Sequence, residues 1–526
     1  MDADAVSWRV SRPSFSSAYA AGKLAELYAL APGDTSGALG QPRNADRAAL
    51  SRALRRYART LGAPAAVERQ LELLEHPDSR AVVTGQQAGL LLGPSYTLSK
   101  AVSAIGLAQE LSTPEQPVTA IFWVASQDHD TAEIDHTYLL DNEENLRRLS
   151  VDLPPERPAG RIDLQRAWLE ALLADLGEGA HKTAYLPEVE TLLRETFETA
   201  DTFADWFAAL LYRLLGAHGL VVLNPLEPDI APLFGPVLRA ELVNPEASVQ
   251  AIGAAGERVR ELGYEPQLGR GEDATNLFTE VNGKRTLLRF DGETFYTGEG
   301  ETHKREALLE RLSGDPSSVT PAAGLRPITQ DAALPTAATV VGPGELRYFA
   351  QLRPVYEHHG VAMPLLWPRT SVSVLEPPVQ RIMNKFDLSL AELETAFGAA
   401  REAKLLELSG HAESFAATLK TLEASFEALR RDIRAIDPTL EGTLSRGEGY
   451  LRTTLDIFKT KSARAVAERD KTYARQFERL RAQLLPLDTP QERLISPFSF
   501  FLKFGVDAVI GALLELPSSG HHAVRF

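Results

Sequence analysis

The feature that most constrains the fold of this chain is a continuous apolar run at 117–125 (PVTAIFWVA). A strand that is apolar on both sides must be buried on both faces, which is typical of a central strand in a parallel sheet. Helices must then cover both faces of that sheet, so strands and helices should alternate along the chain. We therefore expect an α/β fold.

The segments on either side of this run show that alternation. A short β-branched strand at Ala81–Thr84 is followed by Gly85 and by a helical stretch from Ser95 to Leu111, which completes a βαβ unit. Further buried strands are predicted at Leu220–Leu223 and Ala337–Val341. The sequence thus predicts a doubly wound parallel-sheet core over 1–387, with ligands at the carboxyl ends of the strands.

Two stretches, near 141–200 and 235–320, interrupt the alternation, and we interpret both as insertions into the core. In the second stretch, Asn282-Gly283 and Asp291-Gly292 each lie between β-forming residues. Dipeptides of this kind favour tight hairpin turns. We therefore predict a three-stranded antiparallel β-meander over 276–298.

The region from about 388 has a different pattern. Apolar residues recur at spacings of four and three, at Phe415, Leu419, Leu422, Phe426, Leu429, Ile433 and Ile436. This is the seam of a coiled coil, and Asp437-Pro438 breaks it before a second apolar seam at 451–484. We predict an antiparallel coiled-coil hairpin over 388–486 and a homodimer through its remaining apolar surface. The aromatic segment 487–526 should pack back on the core.

Composition excludes several classes of protein. The chain has 55 Lys and Arg against 71 Asp and Glu, a net charge of −16, which argues against a nucleic-acid partner. It has no cysteine, so disulfides, thiolate metal ligands and a cysteine nucleophile are excluded. The first residues do not resemble a signal peptide. The two most apolar stretches carry charged residues; they are Phe203–Leu223 and Phe500–Leu516. We expect no membrane span and a cytoplasmic protein.

The first candidate site is the TGQQAG motif at 84–89, followed by GPSYT at 93–97 and by Lys100. It comes after the first core strand and is expected to open a helix, whose free N–H groups would attract an anion. A plain strand–helix turn is the alternative, because neither phosphate-loop fingerprint is present. The predicted substrate-binding residues here are Thr84, Gly85, Gln86, Gln87, Gly93 and Tyr96.

The second candidate site follows the buried strand and contains Asp128, His129 and Asp130, with Asp135 and His136 nearby. One interpretation is a histidine base oriented by a carboxylate. Two other interpretations are a divalent-metal cluster and a helix N-cap. We favour catalysis by His129, oriented by Asp128 or Asp130, with His136 in substrate binding and no protein-bound metal.

The third candidate site combines LRPITQD at 325–331 with VGPGE at 341–345. An arginine can clamp a carboxylate or phosphate through two hydrogen bonds, and the glycine turn again follows a strand and opens a helix. A structural Arg–Asp pair and a simple loop are the alternatives, and Arg369 is a weaker candidate. The predicted substrate-binding residues here and on the neighbouring strands are Trp123, Asn224, Arg326, Gln330, Asp331, Gly342, Gly344 and Glu345.

Six strings in order resemble the BshC family, the cysteine ligases of bacillithiol biosynthesis. They are TGQQAGLLLGPSYTLSK, FWVASQDHDTAEIDH, VVLNP, LRPITQDAALPT, VGPGELRYFAQL and QERLISPFSFFLKFG, and they run from position 84 to beyond 500. The resemblance implies a Rossmann-like core with connecting-peptide insertions and a coiled coil. It also implies addition of cysteine to glucosaminyl malate in the last step of the pathway.

The same resemblance suggests distant kinship with class I aminoacyl-tRNA synthetases, although the HIGH tetrad and the KMSKS loop are absent from this sequence. The implied chemistry is amide formation after activation of the cysteine carboxylate by ATP, with Mg²⁺ only as the companion of the nucleotide. We expect the nucleotide beside the C-terminal segment, at Gln491, Arg493 and Lys503. The alternatives are a metal-dependent hydrolase that uses the Asp128-His129-Asp130 cluster and a non-catalytic coiled-coil adaptor.

Overall fold

The chain folds with the alternation of strands and helices that its apolar runs predict. The computed structural model describes residues 14–141, 143–177, 183–269, 271 and 273–526. Their contacts divide them into two units. The first unit contains Arg147–Val372, Leu494–His522 and the described residues before 142; the second contains 143–146, Ser373–Arg493 and Ala523–Phe526.

Helices precede the first strand, and the predicted βαβ unit follows directly. The third and fourth helices each bury one apolar stripe, as amphipathic helices on a sheet should. The elements are α1 Phe15–Ala20, α2 Thr35–Gly40, α3 Arg47–Thr60, α4 Ala65–Leu74, β1 Arg80–Gln86, α5 Tyr96–Leu111 and β2 Val118–Val124.

The first predicted insertion is a short two-stranded sheet followed by helices, and it ends where the chain returns to the core sheet. A capping box between Thr202 and Asp205 starts the last of these helices. The elements are β3 His136–Leu140, β4 Leu146–Ser150, α6 Arg166–Gly177, α7 Leu186–Glu198, α8 Phe203–Leu215 and β5 Val221–Leu223.

The second insertion contains the predicted meander. Asn282 and Gly283 both have positive φ, 52° and 78°, as a tight hairpin turn between paired antiparallel strands requires. The elements are α9 Gly235–Val243, α10 Pro245–Glu261, β6 Ala274–Val281, β7 Lys284–Phe290, β8 Phe295–Tyr296, β9 Thr302–His303, α11 Arg305–Gly314 and β10 Val319–Pro321. Strands β10-β6-β7-β8-β9 form one antiparallel sheet, which confirms the meander and extends it by two strands.

The remaining core elements complete a five-stranded parallel sheet. They are α12 Arg326–Ala333, β11 Thr336–Val341, α13 Pro343–Phe349, α14 Arg353–His358, β12 Leu365–Pro368 and β13 Thr370–Leu375. The strand order is β12-β11-β1-β2-β5, and all four neighbouring pairs are parallel. Every residue of β2 is buried, as predicted for the central apolar run. Because the strands are parallel, their carboxyl ends share one edge of the sheet.

The second unit contains the predicted hairpin of long helices. Its helices are α15 Pro377–Phe386, α16 Leu390–Leu408, α17 Ala412–Ile436, α18 Glu441–Arg469 and α19 Lys471–Leu484. Ion pairs between α17 and α18 join Arg434 to Glu441 and Arg452 to Glu423. The end of α17 thus pairs with the start of α18, and an earlier residue of α17 pairs with a later one of α18. The two helices are therefore antiparallel, and the turn lies at the predicted break after Ile436.

The hairpin is shorter than predicted, because α19 packs elsewhere. Phe477, in the C-terminal part of the predicted second seam, stacks on Phe386 of α15 with ring centroids 5.1 Å apart. Leu480 and Leu484 of that seam lie in the same core as residues of α16, namely Leu393, Leu405 and Leu406. The prediction that the whole seam at 451–484 faces α17 is wrong. The units divide at 372/373, earlier than the sequence boundary at 387/388, because α15 belongs to this second core.

The aromatic C-terminal segment packs within the first unit over Leu494–His522. Its elements are α20 Phe498–Phe504, α21 Val506–Leu514 and β14 Gly520–Arg525, and the last strand pairs with β13. Phe498 and Phe501 are fully buried, which explains the aromatic content of this segment. Among the described residues, no helix has both the length and the apolar character needed to cross a bilayer.

Candidate active site

Gln86 ends β1 and Gln87 follows it, and these two glutamines of the TGQQ motif contact different neighbours. Gln86 donates from Nε2 to Tyr96 Oη at 3.0 Å and accepts at Oε1 from Lys100 Nζ at 3.0 Å. Gln87 donates from Nε2 to Asp128 Oδ2 at 2.9 Å. The motif therefore joins two clusters at the carboxyl edge of the sheet: a cationic cluster beside β11 and a histidine cluster beside β2.

The cationic cluster consists of Lys100, Arg326, Arg369 and Glu345. Lys100 is buried on α5 and donates to Gly85 O at 2.9 Å, while its Nζ lies 2.6 Å from Glu345 Oε2. Burial lowers the pKa of Lys100, Glu345 opposes that effect, and the two arginines lower the pKa further. Lys100 closes the first candidate motif, and its pairing with Glu345 of α13 could not be predicted from that motif.

Arg326 and Arg369 add two guanidinium groups to the same cluster. Arg326 donates to Gln330 Oε1 and to Tyr348 Oη, both at 3.0 Å. Burial raises the pKa of Tyr348 to about 12, so its hydroxyl stays neutral. Arg369 lies over the Tyr96 ring, with its guanidinium carbon 5.4 Å from the centroid. Among the described side chains of this cluster, three cations face one carboxylate, and such an excess of positive charge suits an anionic ligand.

The histidine cluster consists of Asp128, His129 and Arg285. Asp128 Oδ1 accepts from the His129 backbone N–H at 2.8 Å and lies 3.5 Å from His129 Nδ1. Arg285 Nη1 lies 3.2 Å from the same ring nitrogen. Burial alone would raise the pKa of Asp128, but His129, Gln87 and Arg285 outweigh it and lower the pKa, so the carboxylate stays ionised.

Arg285 is the functional residue that the sequence reasoning missed completely. It comes from β7 in the second insertion, 156 residues after His129. Its side chain is 8% exposed, and its guanidinium carbon lies 3.9 Å from the centre of the Phe278 ring. The only local signal was an arginine within a predicted strand, which does not reveal its partner.

The structure corrects the role predicted for Gly85. This residue lies within β1, and the helix that follows begins only at Tyr96. A Cβ at Gly85 would lie 2.7 Å from the carbonyl oxygen of Trp123 on β2. Glycine is needed here for the close approach of two strands and not for a helix that opens on an anion. Gly93 has a φ of 61°, so it serves the turn that leads into α5.

Thr84, Trp123 and Asn224 lie beneath the edge and not on it. Thr84 Oγ1 donates to the Val340 carbonyl at 3.1 Å, and Trp123 is 1% exposed. Asn224 accepts from Ser126 Oγ at 2.5 Å, and its other amide atom donates to a buried carboxylate. These three side chains are buried and bonded within the protein, and their contact with a substrate stays a prediction.

Gln330 and Asp331 also serve a different purpose from the one predicted. Gln330 binds Arg326 through Oε1 and donates from Nε2 to Asp331 Oδ1 at 2.9 Å. Asp331 accepts from Tyr356 Oη at 2.5 Å and is 3% exposed. Gln330 thus holds Arg326 from within α12, and Asp331 holds Gln330.

The predicted anion site at Gly342 is already filled by a carboxylate of the chain itself. The Gly342 N–H donates to Glu345 Oε2 at 2.8 Å, and the helix α13 that follows has only seven residues. Gly344 is exposed on that helix. Glu345 thus caps α13 and pairs with Lys100, which makes it a part of the cationic cluster.

Asp130 and His136 lie apart from the pair Asp128 and His129. Asp130 is exposed and precedes a short 3₁₀ helix without a capping bond from its side chain. His136 Nδ1 lies 2.7 Å from Asp135 Oδ1 at the start of β3. Within the described ranges, no three His, Asp or Glu side chains converge as metal ligands would.

The structure gives Gln491 a structural role instead of the predicted contact with a nucleotide. Gln491 is 2% exposed; it accepts from Val374 N and donates to the carbonyls of Val374 and Gln483. Its amide is therefore fully used by the backbone of the second unit. Arg493 also belongs to the second unit and Lys503 to the first, and their role in nucleotide binding stays a prediction.

Glu227, in the loop after β5, should make stability depend on pH. Burial first, and then Asp205 and Asp229, raise its pKa from 4.5 to about 7. A raised pKa in the folded state gives stability that is complete below pH 4.5 and is lost as the pH rises to about 7. Glu227→Gln should therefore gain stability relative to the wild type between pH 5 and pH 8 in urea unfolding. Equal pH profiles for the two proteins, or an equal gain in an exposed Glu261→Gln control, would contradict this.

Two family models together match most of the chain. One is described as "Bacillithiol biosynthesis BshC, N-terminal Rossmann-like domain" and covers residues 11–370. The other is described as "Bacillithiol biosynthesis BshC, C-terminal coiled-coil domain" and covers 372–525. The chain belongs to the BshC family. The boundary between the two BshC domains agrees with the division between the two structural units at 372/373.

Curated BshC relatives match over nearly their full length. A "Putative cysteine ligase BshC" from a strain of Thermus thermophilus is 41% identical over 470 residues, which cover 88% of this chain and 91% of the relative. Proteins with the same name from Geobacillus kaustophilus and Heliobacterium modesticaldum are 32% and 34% identical. They cover 92% and 90% of this chain, and 91% and 88% of their own lengths. All three relatives are thus named as cysteine ligases.

Proposed function

We propose that this protein joins the carboxyl group of cysteine to the amine of glucosaminyl malate, the last step of bacillithiol biosynthesis. The observation that carries the proposal is the cationic cluster beside His129. Among the described side chains of the cluster, three cations, Lys100, Arg326 and Arg369, lie beside one carboxylate, Glu345. The malate part of the substrate carries two carboxylates, which match that excess, and the BshC relatives are named as cysteine ligases.

The reaction forms a C–N bond and needs an activated carboxyl group. ATP can supply the activation by breaking a phosphoanhydride bond, which leaves cysteine as an acyl adenylate or an acyl phosphate. The amine then attacks, the phosphorus-bearing group leaves, and the amine gives up a proton. We assign His129 and Asp128 to the attack of the amine, and Mg²⁺ accompanies the nucleotide. Because ATP and cysteine are cytoplasmic metabolites, we place the reaction in the cytoplasm.

The proposal is tested with purified full-length protein, ATP, Mg²⁺, cysteine and glucosaminyl malate. We expect the amide product by mass spectrometry, in an amount that matches the ATP consumed. Serine in place of cysteine, and omission of ATP, are the controls. Cleavage of an N-acylated substrate without ATP would favour the hydrolase alternative. If neither ligation nor cleavage occurs, the adaptor alternative is favoured.

The hairpin of α17 and α18 leaves apolar side chains in water, and we propose that they form a homodimer. Ile436 is 79% exposed and Phe458 is 60% exposed. Ile436→Lys with Phe458→Lys should convert a dimer to a monomer in light scattering, because lysines cannot be buried unpaired at an interface. Arg464→Glu, on the same hairpin, is the control, since the Arg464 side chain is 81% exposed. An unchanged mass for the double variant would contradict the proposal.

A further inference from the structure

The contact between Arg285 and His129 determines which ring nitrogen carries the proton. Arg285 Nη1 lies 3.2 Å from His129 Nδ1. A guanidinium group can donate hydrogen bonds but has no acceptor, so Nδ1 must present its lone pair. We infer that Arg285 is a positioning residue that holds the neutral His129 ring with its proton on Nε2. His129 then meets its substrate as an N–H donor, and this inference rests on the proposed function.

The other donors of Arg285 fix its orientation. Its Nε donates to Thr320 Oγ1 at 3.1 Å, and its Nη2 donates to the Pro321 carbonyl at 2.8 Å. Both partners belong to β10, and the Phe278 ring covers the guanidinium plane at 3.9 Å. Phe278 also lies beside the His129 ring, with centroids 5.5 Å apart. The arginine is therefore held in one position by the antiparallel sheet of the second insertion.

Asp128 favours the opposite tautomer of the same ring. Its Oδ1 lies 3.5 Å from His129 Nδ1 and 3.5 Å from Arg285 Nη1. If Arg285 were absent, the carboxylate would be the nearest partner of Nδ1 and would draw the proton to it. The Nε2 lone pair would then face the substrate, as a general base requires. With Arg285 in place, His129 can donate to a carboxylate or to the oxygen that becomes negative during amine attack.

Nitrogen NMR of the full-length protein tests the inference. Histidine labelled with ¹⁵N is incorporated, and long-range ¹H–¹⁵N spectra identify the protonated nitrogen of each neutral ring. The chain has 11 histidines, so the His129 signals are assigned by their loss in His129→Asn. Arg285→Met is compared with Arg289→Met, whose arginine lies on the same strand and pairs with Asp273. We expect the proton on Nε2 in the wild type and in Arg289→Met, and on Nδ1 in Arg285→Met.

Two results would overturn the inference: a proton on Nδ1 in the wild type, or the same tautomer in the wild type and in Arg285→Met. If Arg285→Met fails to fold, the wild-type spectrum alone decides. The spectra are recorded without substrate, so they do not depend on ligation. Absence of the amide product would therefore count against the proposed function and leave the tautomer result standing.

Discussion

Replacing His129 with asparagine should remove nearly all cysteine ligation and leave the fold intact. Asparagine can form a hydrogen bond but cannot titrate, and it does not reach as far as the imidazole. Loss of a general acid or base costs about 100- to 10,000-fold in rate, and loss of one donor to a developing oxyanion about 100- to 1,000-fold. The rate of amide formation by purified protein is the measurement, with bacillithiol content of cells as a second one.

The variant also separates the other interpretations of this histidine. If His129 is a metal ligand, the wild type should contain stoichiometric bound metal, and His129→Asn should lose it. A capping role predicts a loss of about 1 kcal/mol in the free energy of unfolding with activity intact. His218→Asn, at an exposed histidine in the 3₁₀ turn after α8, is the matched control and should keep its activity. Full thiol production by His129→Asn would contradict our assignment.

Replacing Lys100 with methionine should strongly destabilise the first unit. The Lys100 side chain is 5% exposed and the paired Glu345 side chain 24% exposed, so the variant leaves a largely buried carboxylate without its cation. Breaking a buried ion pair by removing one partner costs about 3–5 kcal/mol. The measurement is the free energy of unfolding in denaturant, with unfolding monitored by a probe in the first unit. The variant should also bind the dicarboxylate substrate more weakly, because one cation is gone.

Two comparisons test the physical reason for that loss. Lys284→Met removes a lysine whose pair with Glu156 is more than half exposed at both ends, 51% and 61%, and should cost at most about 1 kcal/mol. Adding Glu345→Gln to Lys100→Met should recover part of the stability, since a neutral amide needs no counter-ion. Equal losses in the free energy of unfolding for Lys100→Met and Lys284→Met would contradict the buried ion pair of Lys100 with Glu345.

Local patterns in the sequence predicted most of the fold. The apolar run at 117–125 predicted a buried central strand, because a strand with two apolar faces is stable only under two layers of helices. Asn282-Gly283 predicted the hairpin of the meander, because only residues that tolerate positive φ can form that turn. The repeat from Phe415 to Ile436 predicted a long helix with a partner. Each of these signals lies within a few residues, where spacing and backbone preferences act directly.

The carboxyl edge was predicted only in part, because position in a strand does not specify direction. Gln86 and Asp128 were correctly placed at the ends of β1 and β2. Thr84 and Trp123, on the same strands, are buried in the core. Which residues face a ligand and which face a neighbouring strand depends on packing that the local pattern does not contain.

The sequence by itself determined the parallel core, the meander and the helical hairpin, since burial, turns and helix seams follow from neighbouring residues. Only the tertiary structure decided that Arg285 contacts His129, that Lys100 joins the cationic cluster, and that α19 packs on α15 instead of α17. These contacts join residues far apart in the chain. Their energy depends on topology and on complementary side-chain positions, which no periodicity encodes.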